Sequence, residues 1–416
     1  MPSVVVDCLV VAVLAVLLGV AFRHPRGKVE AAAGLAAAAV VLAVHAVGVR
    51  AARDEVDRLF PVVAFLVAIL VVSELCAAEG VFAAVGGLVA RAGRRDPVRM
   101  LGLTFAAALA VTAVLSLDAT VVLLTPVVLA SATGAMVSSR PLVTACGRLA
   151  NSASLLLPVS NLTNLLAMHD LRLSFVGFAA RMAPVWLVVV AVEYVGHRLL
   201  FRRDLAAAPH DGAMPEAPTL PVVPVVVVGL MLVGFAALSP LGVAPAWVAA
   251  AAALVLVARG LAQRRVGVGT VVRAAHLPFA VFVLGLGVVV AALSATFLGD
   301  AVARLLPHGD SFWCLLGIAA VATVLANVVN NLPATLLLLP LLAPVGIGAI
   351  LAALVGVNVG SGLTWTGSLA NLLWRRTLTR AGAPPTSREF HAVSLVLTPP
   401  AVVFGVLTLW AWLHVF

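Results

Sequence analysis

Charge is what this sequence has least of. Only 10% of its 416 residues are Asp, Glu, Lys or Arg, against 63% hydrophobic, and a mean hydropathy of +1.17 exceeds what a water-soluble fold can hide from solvent. Lysine is nearly missing, since 25 of the 26 basic residues are arginine. These lie in short segments beside apolar runs and not along one face, so they read as membrane topology and argue against nucleic acid as a partner. Cysteine is scarce as well. Cys8, Cys76, Cys146 and Cys314 stand singly, without CxxC or Cys/His spacing; they read as small apolar residues in helix packing, with contact to a thiophilic solute as the alternative. The histidines show no metal-ligand spacing. No P-loop, HExxH, GxSxG or strand-borne GxGxxG occurs, so neither an ATPase nor a hydrolase is indicated, and no enzymatic activity, metal or cofactor is expected. The N-terminus also lacks a basic n-region: Arg23 to Lys28 follow the first apolar run instead of preceding it, so 4–22 reads as a transmembrane helix and not a cleaved signal peptide.

Long apolar runs are what the chain does have. Those at 4–22, 29–49, 60–90, 174–197, 222–238, 244–258, 277–298 and 392–415 are near the ~20 residues that a helix needs to cross a bilayer. Four more, at 101–136, 145–168, 312–344 and 347–374, are interrupted by polar or helix-breaking residues. The arms around Ser116–Thr120 are about 13 residues, or ~20 Å of helix, short of a ~30 Å hydrocarbon layer. Two such arms suit a re-entrant hairpin whose polar tip is buried in protein. Charge supports this reading. With 101–136 and 312–344 both re-entrant, 19 basic residues fall in inside loops and 5 outside; with each crossing once, the split is about 12 to 12.

The expected fold is therefore an all-α polytopic membrane protein of two inverted repeats, each with five transmembrane helices and one re-entrant hairpin. The N-terminal repeat spans 1–200, with hairpin 101–136 and interrupted helix 145–168. A cytoplasmic linker follows at 201–221, with His210, Asp211, Gly212 and four prolines. The C-terminal repeat spans 222–416, with hairpin 312–344 and interrupted helix 347–374. Both termini and the 50–58 and 299–310 loops are predicted to be extracytoplasmic. Sequence likeness supports the duplication: Leu117-Asp118-Ala119-Thr120 stands against Leu332-Pro333-Ala334-Thr335. Asn151–Leu166 also aligns without a gap to Asn358–Leu373, with Asn151/Asn358, Ser154/Ser361 and Asn164/Asn371 among the identities.

Chemistry is expected where the apolar runs break. Broken helices leave free N–H and C=O groups that, with the half-helix dipoles, hold a polar solute without fixed charge. The candidate solute- or ion-binding residues are Ser116, Asp118 and Thr120 at the first tip and Ser160, Asn161 and Asn164 at the first break. The second half adds Asn330, Asn331 and Thr335 at its tip and Thr366, Ser368 and Asn371 at its break. Asp118 is the candidate proton carrier, because desolvation disfavours its ionised form; a capping role on the return arm at Thr120 is the alternative. Glu74 and Glu79 are secondary proton candidates, and Glu193 reads as lying near a helix end with Arg198 close by. Neither tip and neither break carries Arg or Lys, which favours a neutral hydroxylic solute or a small cation over a di- or tricarboxylate.

The segments Leu117–Pro126, Asn151–Leu166, Asn327–Thr335 and Gly367–Trp374 resemble the motifs of ArsB-type arsenite/antimonite permeases of the ion transporter superfamily. The resemblance implies scaffold and transport subdomains and a site at the membrane midplane between tips and broken helices. It also implies alternating-access efflux of arsenite or antimonite, as neutral trihydroxides, in exchange for protons, across a bacterial cytoplasmic membrane. The first tip here reads Ser-Leu-Asp-Ala-Thr where many relatives have Asn-Asp-Gly; the acid is retained and the glycine is not. A sodium/proton antiporter with Asp118, Asn164, Asn330 and Asn371 as cation ligands is the alternative, and a non-transporting receptor or scaffold would need a soluble module that the longest loop cannot hold. Membrane lipid, a separate cytoplasmic ATPase and a second copy of the chain are the further candidate partners.

Overall fold

A computed structural model describes residues 3–23, 27–206 and 219–415. Most of the expected linker, including His210, Asp211 and Gly212, lies outside the described residues. Every regular element among the described residues is helical, and ten of these helices are long and apolar enough to cross a membrane. The protein is thus an all-α integral membrane protein.

Helices Ser3–Arg23, Gly27–Ala43, Val49–Ala78, Val222–Leu238, Pro245–Ala262 and Leu277–Ser294 pack on one another as one group. Without a hydrophobic driving force between helices in lipid, close backbone approach has to supply the contact. Gly34 and Gly285 do this where Gly27–Ala43 meets Leu277–Ser294: a Cβ on either would run into the other helix's backbone. The second group contains both hairpins, both interrupted helices, Phe175–Leu200 and Ser387–Leu413. Its two long helices run in opposite directions. Trp412 Nε1 donates to the Ala180 carbonyl at one end (3.2 Å), while at the other Arg140 reaches both Asp204 (3.7 Å) and Glu389 (3.1 Å).

The two helix pairs that carry the tips lie with their outer ends at different ends of those long helices. The first consists of Pro97–Val114 and Leu117–Gly134. Its outer ends lie by the 194–205 segment, where Phe105 packs 5.3 Å from the His197 ring and Ser138 donates to Asp204 (2.7 Å). The second consists of Phe312–Val329 and Asn331–Leu342, and Phe312 lies 6.3 Å from Trp410, near the opposite end. The arms are longer than the sequence suggests. Three of them have 18 residues, or ~27 Å of helix; the first begins early because Asp96 caps it (Val98 N to Oδ1 2.8 Å) and Pro97 opens it.

Two apolar stretches divide differently from expectation. The 60–90 run is a 30-residue helix, Val49–Ala78, and a separate helix, Val81–Gly93, parted at Gly80, whose φ of 88° only glycine adopts without strain. The 50–58 segment, expected as a loop, is the first part of that long helix, where Arg53–Asp57 and Arg58–Glu55 pair at helical spacing. Part of the 299–310 loop likewise belongs to a helix, Phe297–Leu305. Glu79 lies just past the long helix and pairs with Arg265 (2.6 Å) and Arg259 (3.4 Å), a partnership that ties up its carboxylate.

Candidate functional site

Both tips and both breaks meet at one cavity of about 490 Å³ between the two helix groups. Ser116, Asp118, Ser160, Asn161, Asn330, Asn331 and Ser368 line it; Thr120, Asn164, Thr335, Thr366 and Asn371 do not. The first group of helices contributes Glu74 and, elsewhere on the wall, Glu30 and Phe279. Arg376 and Arg380, on the far part of helix Leu369–Arg380, line it as well. None of the four cysteines is among its lining residues.

At the first tip, the N-cap is Ser116. Its Oγ accepts from Ala119 N (3.2 Å), and the half-buried Asp118 lines the cavity wall. The chain then widens into a π-helical turn, Thr120–Leu124, a local insertion common at functional sites. Thr120 stabilises this turn from within: its hydroxyl lies 2.7 Å from that of Thr112, and its carbonyl accepts from Thr125 Oγ1 (2.9 Å). The second tip holds Asn330 at φ 78° and ψ 154°, a strained conformation that residues other than glycine rarely adopt. The Asn330 amide donates to Thr366 O (3.0 Å), and Asn331 N donates to Gly367 O (3.0 Å). Thr335 bonds back to Asn331 O (2.8 Å), and Thr366 Oγ1 donates to Asn327 O (3.2 Å). Asn327 adds further links, accepting from Thr364 N (3.0 Å) and donating to Gly360 O (2.9 Å). By contrast, the first tip's arm meets its break through Ser160 Oγ, which donates to Ala113 O (2.8 Å).

The breaks are held by a reciprocal set of asparagines. Asn164 Nδ2 donates to Ser154 O (2.7 Å) and Leu157 O (3.0 Å), two carbonyls of its own break. Asn371 Nδ2 does the same for Ser361 O (2.9 Å) and Thr364 O (2.8 Å), at identical sequence offsets. Each then accepts from the other interrupted helix: Asn358 Nδ2 donates to Asn164 Oδ1 (2.8 Å), and Asn151 Nδ2 to Asn371 Oδ1 (2.7 Å). Asn161 caps Leu162–Leu171 through Thr163 N (3.2 Å) and donates to Asn358 Oδ1 (3.0 Å); Ser368 caps Leu369–Arg380 through Ala370 N (3.1 Å). Asn151, Asn358, Asn327 and Thr163 were not among the expected site residues. The alignment of Asn151 with Asn358 was the signal for the first two.

Arg148 lies on the first interrupted helix, in Arg140–Ser152, and is buried against Glu193. Glu193 is fully buried and pairs there, not with Arg198 at a helix end. Hydropathy places both residues on helices but says nothing of which faces meet.

Comparison with known proteins bears on what such a cavity serves. The CitMHS family, described as Citrate transporter, matches residues 9–354. The arsenical pump membrane protein of Escherichia coli is 29% identical over 266 residues, covering 60% of this chain and 62% of that protein. Its counterpart from Yersinia enterocolitica is 29% identical over 265 residues. The match thus spans less than two thirds of those relatives. Among solved structures, the YdaH transporter of Alcanivorax borkumensis, described as having an unusual topology, shares the fold with a TM-score of 0.52 at 17% identity, covering 82% of this chain and 84% of that one.

Proposed function

From the premise that this chain belongs to the CitMHS family of membrane transporters, we propose that it is a secondary carrier exporting arsenite or antimonite as neutral trihydroxides in exchange for protons. The observation that carries this reading is the make-up of the cavity where tips and breaks meet. Amides and hydroxyls of Ser116, Ser160, Asn161, Asn330, Asn331 and Ser368 surround one carboxylate of the tips, Asp118. That set offers donors and acceptors to an uncharged trihydroxide and one site for a proton. The likeness to arsenical pump membrane proteins points the same way. On this reading the six-helix group is a scaffold, and the hairpins, interrupted helices and their two long partners form the moving transport body of an inverted repeat. Asn164, Asn371, Thr120, Thr335 and Thr366 shape the site without touching the solute.

Everted vesicles energised by a pH gradient test the proposal. Accumulation of arsenite and antimonite, abolished by collapsing the gradient and indifferent to sodium, is the expected result. Citrate belongs in the same assay, because Arg376 and Arg380 line the cavity and the family is described by that solute. Citrate uptake without arsenite transport would replace the arsenite reading, and sodium-driven proton flux without either would point to an antiporter.

Orientation is tested by labelling. With Cys8 and Cys314 replaced, Asp310→Cys should react with an impermeant maleimide in intact cells and Arg388→Cys should not. The reverse pattern overturns the proposed placement of both termini outside the cytoplasm.

A further inference from the structure

The transport body encloses a charged cluster whose residues are absent from the solute cavity's lining. Arg148 meets Glu193 twice, Nη2 to Oε1 at 2.5 Å and Nε to Oε2 at 3.2 Å, with side chains 5% and 0% exposed. Its Nη1 donates to Thr398 Oγ1 (2.9 Å), Ser394 Oγ (3.4 Å) and Gly362 O (3.4 Å), so one guanidinium joins both long helices to the second break. His197 lies one helical turn beyond Glu193 and is fully buried. Its Nδ1 is 2.7 Å from the Glu193 carbonyl and 3.9 Å from the carboxylate, while Nε2 has no hydrogen-bond partner. Because a carbonyl only accepts, Nδ1 carries the proton and Nε2 presents a bare lone pair. The Phe201 ring lies 5.8 Å from the imidazole. Phe201 also lines a second cavity of about 520 Å³, with Arg140, Asp204 and Glu389 around it.

Apolar side chains of the same volume would pack such an interior at lower cost than an ion pair and an unsatisfied nitrogen, so the cluster calls for a function. We propose that His197 and Glu193 form a proton-binding site, filled from this charged vestibule past Phe201 and separate from the solute cavity, whose occupancy reaches the second break through Arg148. The inference rests on the proton-exchange reading and adds a second proton site to it. A proton taken from vestibule water by Nε2 makes the ring a cation 3.9 Å from Glu193 Oε2. The ring then competes with Arg148 for that carboxylate, and the guanidinium shifts towards its other acceptors, Gly362 O among them. The charged groups acting on the ring are Glu193 on its own helix and Arg148 from the first interrupted helix. The 97–114 helix presents Phe105 to the ring, and the 387–413 helix presents Ser394 and Thr398 to Arg148.

His197→Gln tests this, since its amide can keep the bond to the Glu193 carbonyl while losing the titrating nitrogen. Arsenite counterflow at equal pH should stay within about twofold of wild type, whereas the rate should lose its dependence on vestibule-side pH, which a single titrating group makes up to ~10-fold per pH unit. Superimposable pH profiles would overturn the proposal. Hydrogen exchange of 359–368 in the purified protein, corrected for intrinsic rates, gives a readout that does not depend on the solute. It should vary with pH in wild type and be flat in His197→Gln. Failure of wild type to move arsenite, with this difference intact, removes the arsenite reading and leaves the proton site. Identical exchange profiles remove the proton site whatever the solute.

Discussion

Substituting Asn164 or Asn371 by leucine is expected to abolish transport and to destabilise the protein together. Asn164→Leu strands two groups at once, since the Ser154 carbonyl loses its side-chain donor and Asn358 Nδ2 loses its acceptor, while the Leu157 carbonyl keeps only Ser160 N (3.2 Å). Asn371→Leu does the same to Ser361 O and Asn151 Nδ2, and leaves Thr364 O with Gly367 N alone (3.3 Å). A buried polar group left without a partner costs ~1–3 kcal/mol, so each substitution, stranding two, should cost roughly 2 kcal/mol or more. In detergent this appears as a clear fall in melting temperature. Asn358→Ala and Asn151→Ala should follow, because they remove the other half of each bond. A leucine variant with wild-type stability but no transport would return these asparagines to the role of solute ligands, and one with wild-type transport would dissolve the clamp altogether.

The clamp marks where sequence reasoning reaches its limit. The breaks themselves were legible, because Ser, Asn, Gly, Thr and Pro inside an apolar run can only be tolerated where protein buries them. The first tip was legible for the same reason, through Asp118. Alignment of Asn151 with Asn358 and of Asn164 with Asn371 displayed the symmetry, but not that the partners cross from one half to the other. That crossing depends on how two interrupted helices lie against each other, and periodicity carries no such information. Glu193 illustrates this most plainly. Its true partner is 45 residues away on a helix that hydropathy treats as independent, whereas Arg198 is only near in sequence. Hydropathy misplaces helix ends where local chemistry outweighs it: Asp96 and Pro97 start an arm early, and charge pairs carry the helix through 50–58.

Asp118→Asn should separate solute movement from its driving force. A neutral trihydroxide gains nothing from membrane potential, so uphill export requires a coupled ion, and an inward proton gradient supplies about 1.4 kcal/mol per pH unit. Asp118 lines the cavity at a tip whose N-cap is Ser116. Asparagine copies the shape and neutrality of the protonated acid and fixes one of the two states between which a coupled carrier must alternate. The variant should therefore bind arsenite and exchange it down a gradient, yet fail to concentrate it in everted vesicles with a pH gradient. Asp118→Glu should retain part of the activity with a displaced pH optimum. The discriminating measurement is accumulation against counterflow in the same vesicle preparation. Should Asp118→Asn accumulate arsenite at the wild-type rate with the wild-type pH dependence, coupling passes to another acid, and Glu74, which lines the same cavity from the scaffold side, becomes the carboxylate to substitute next.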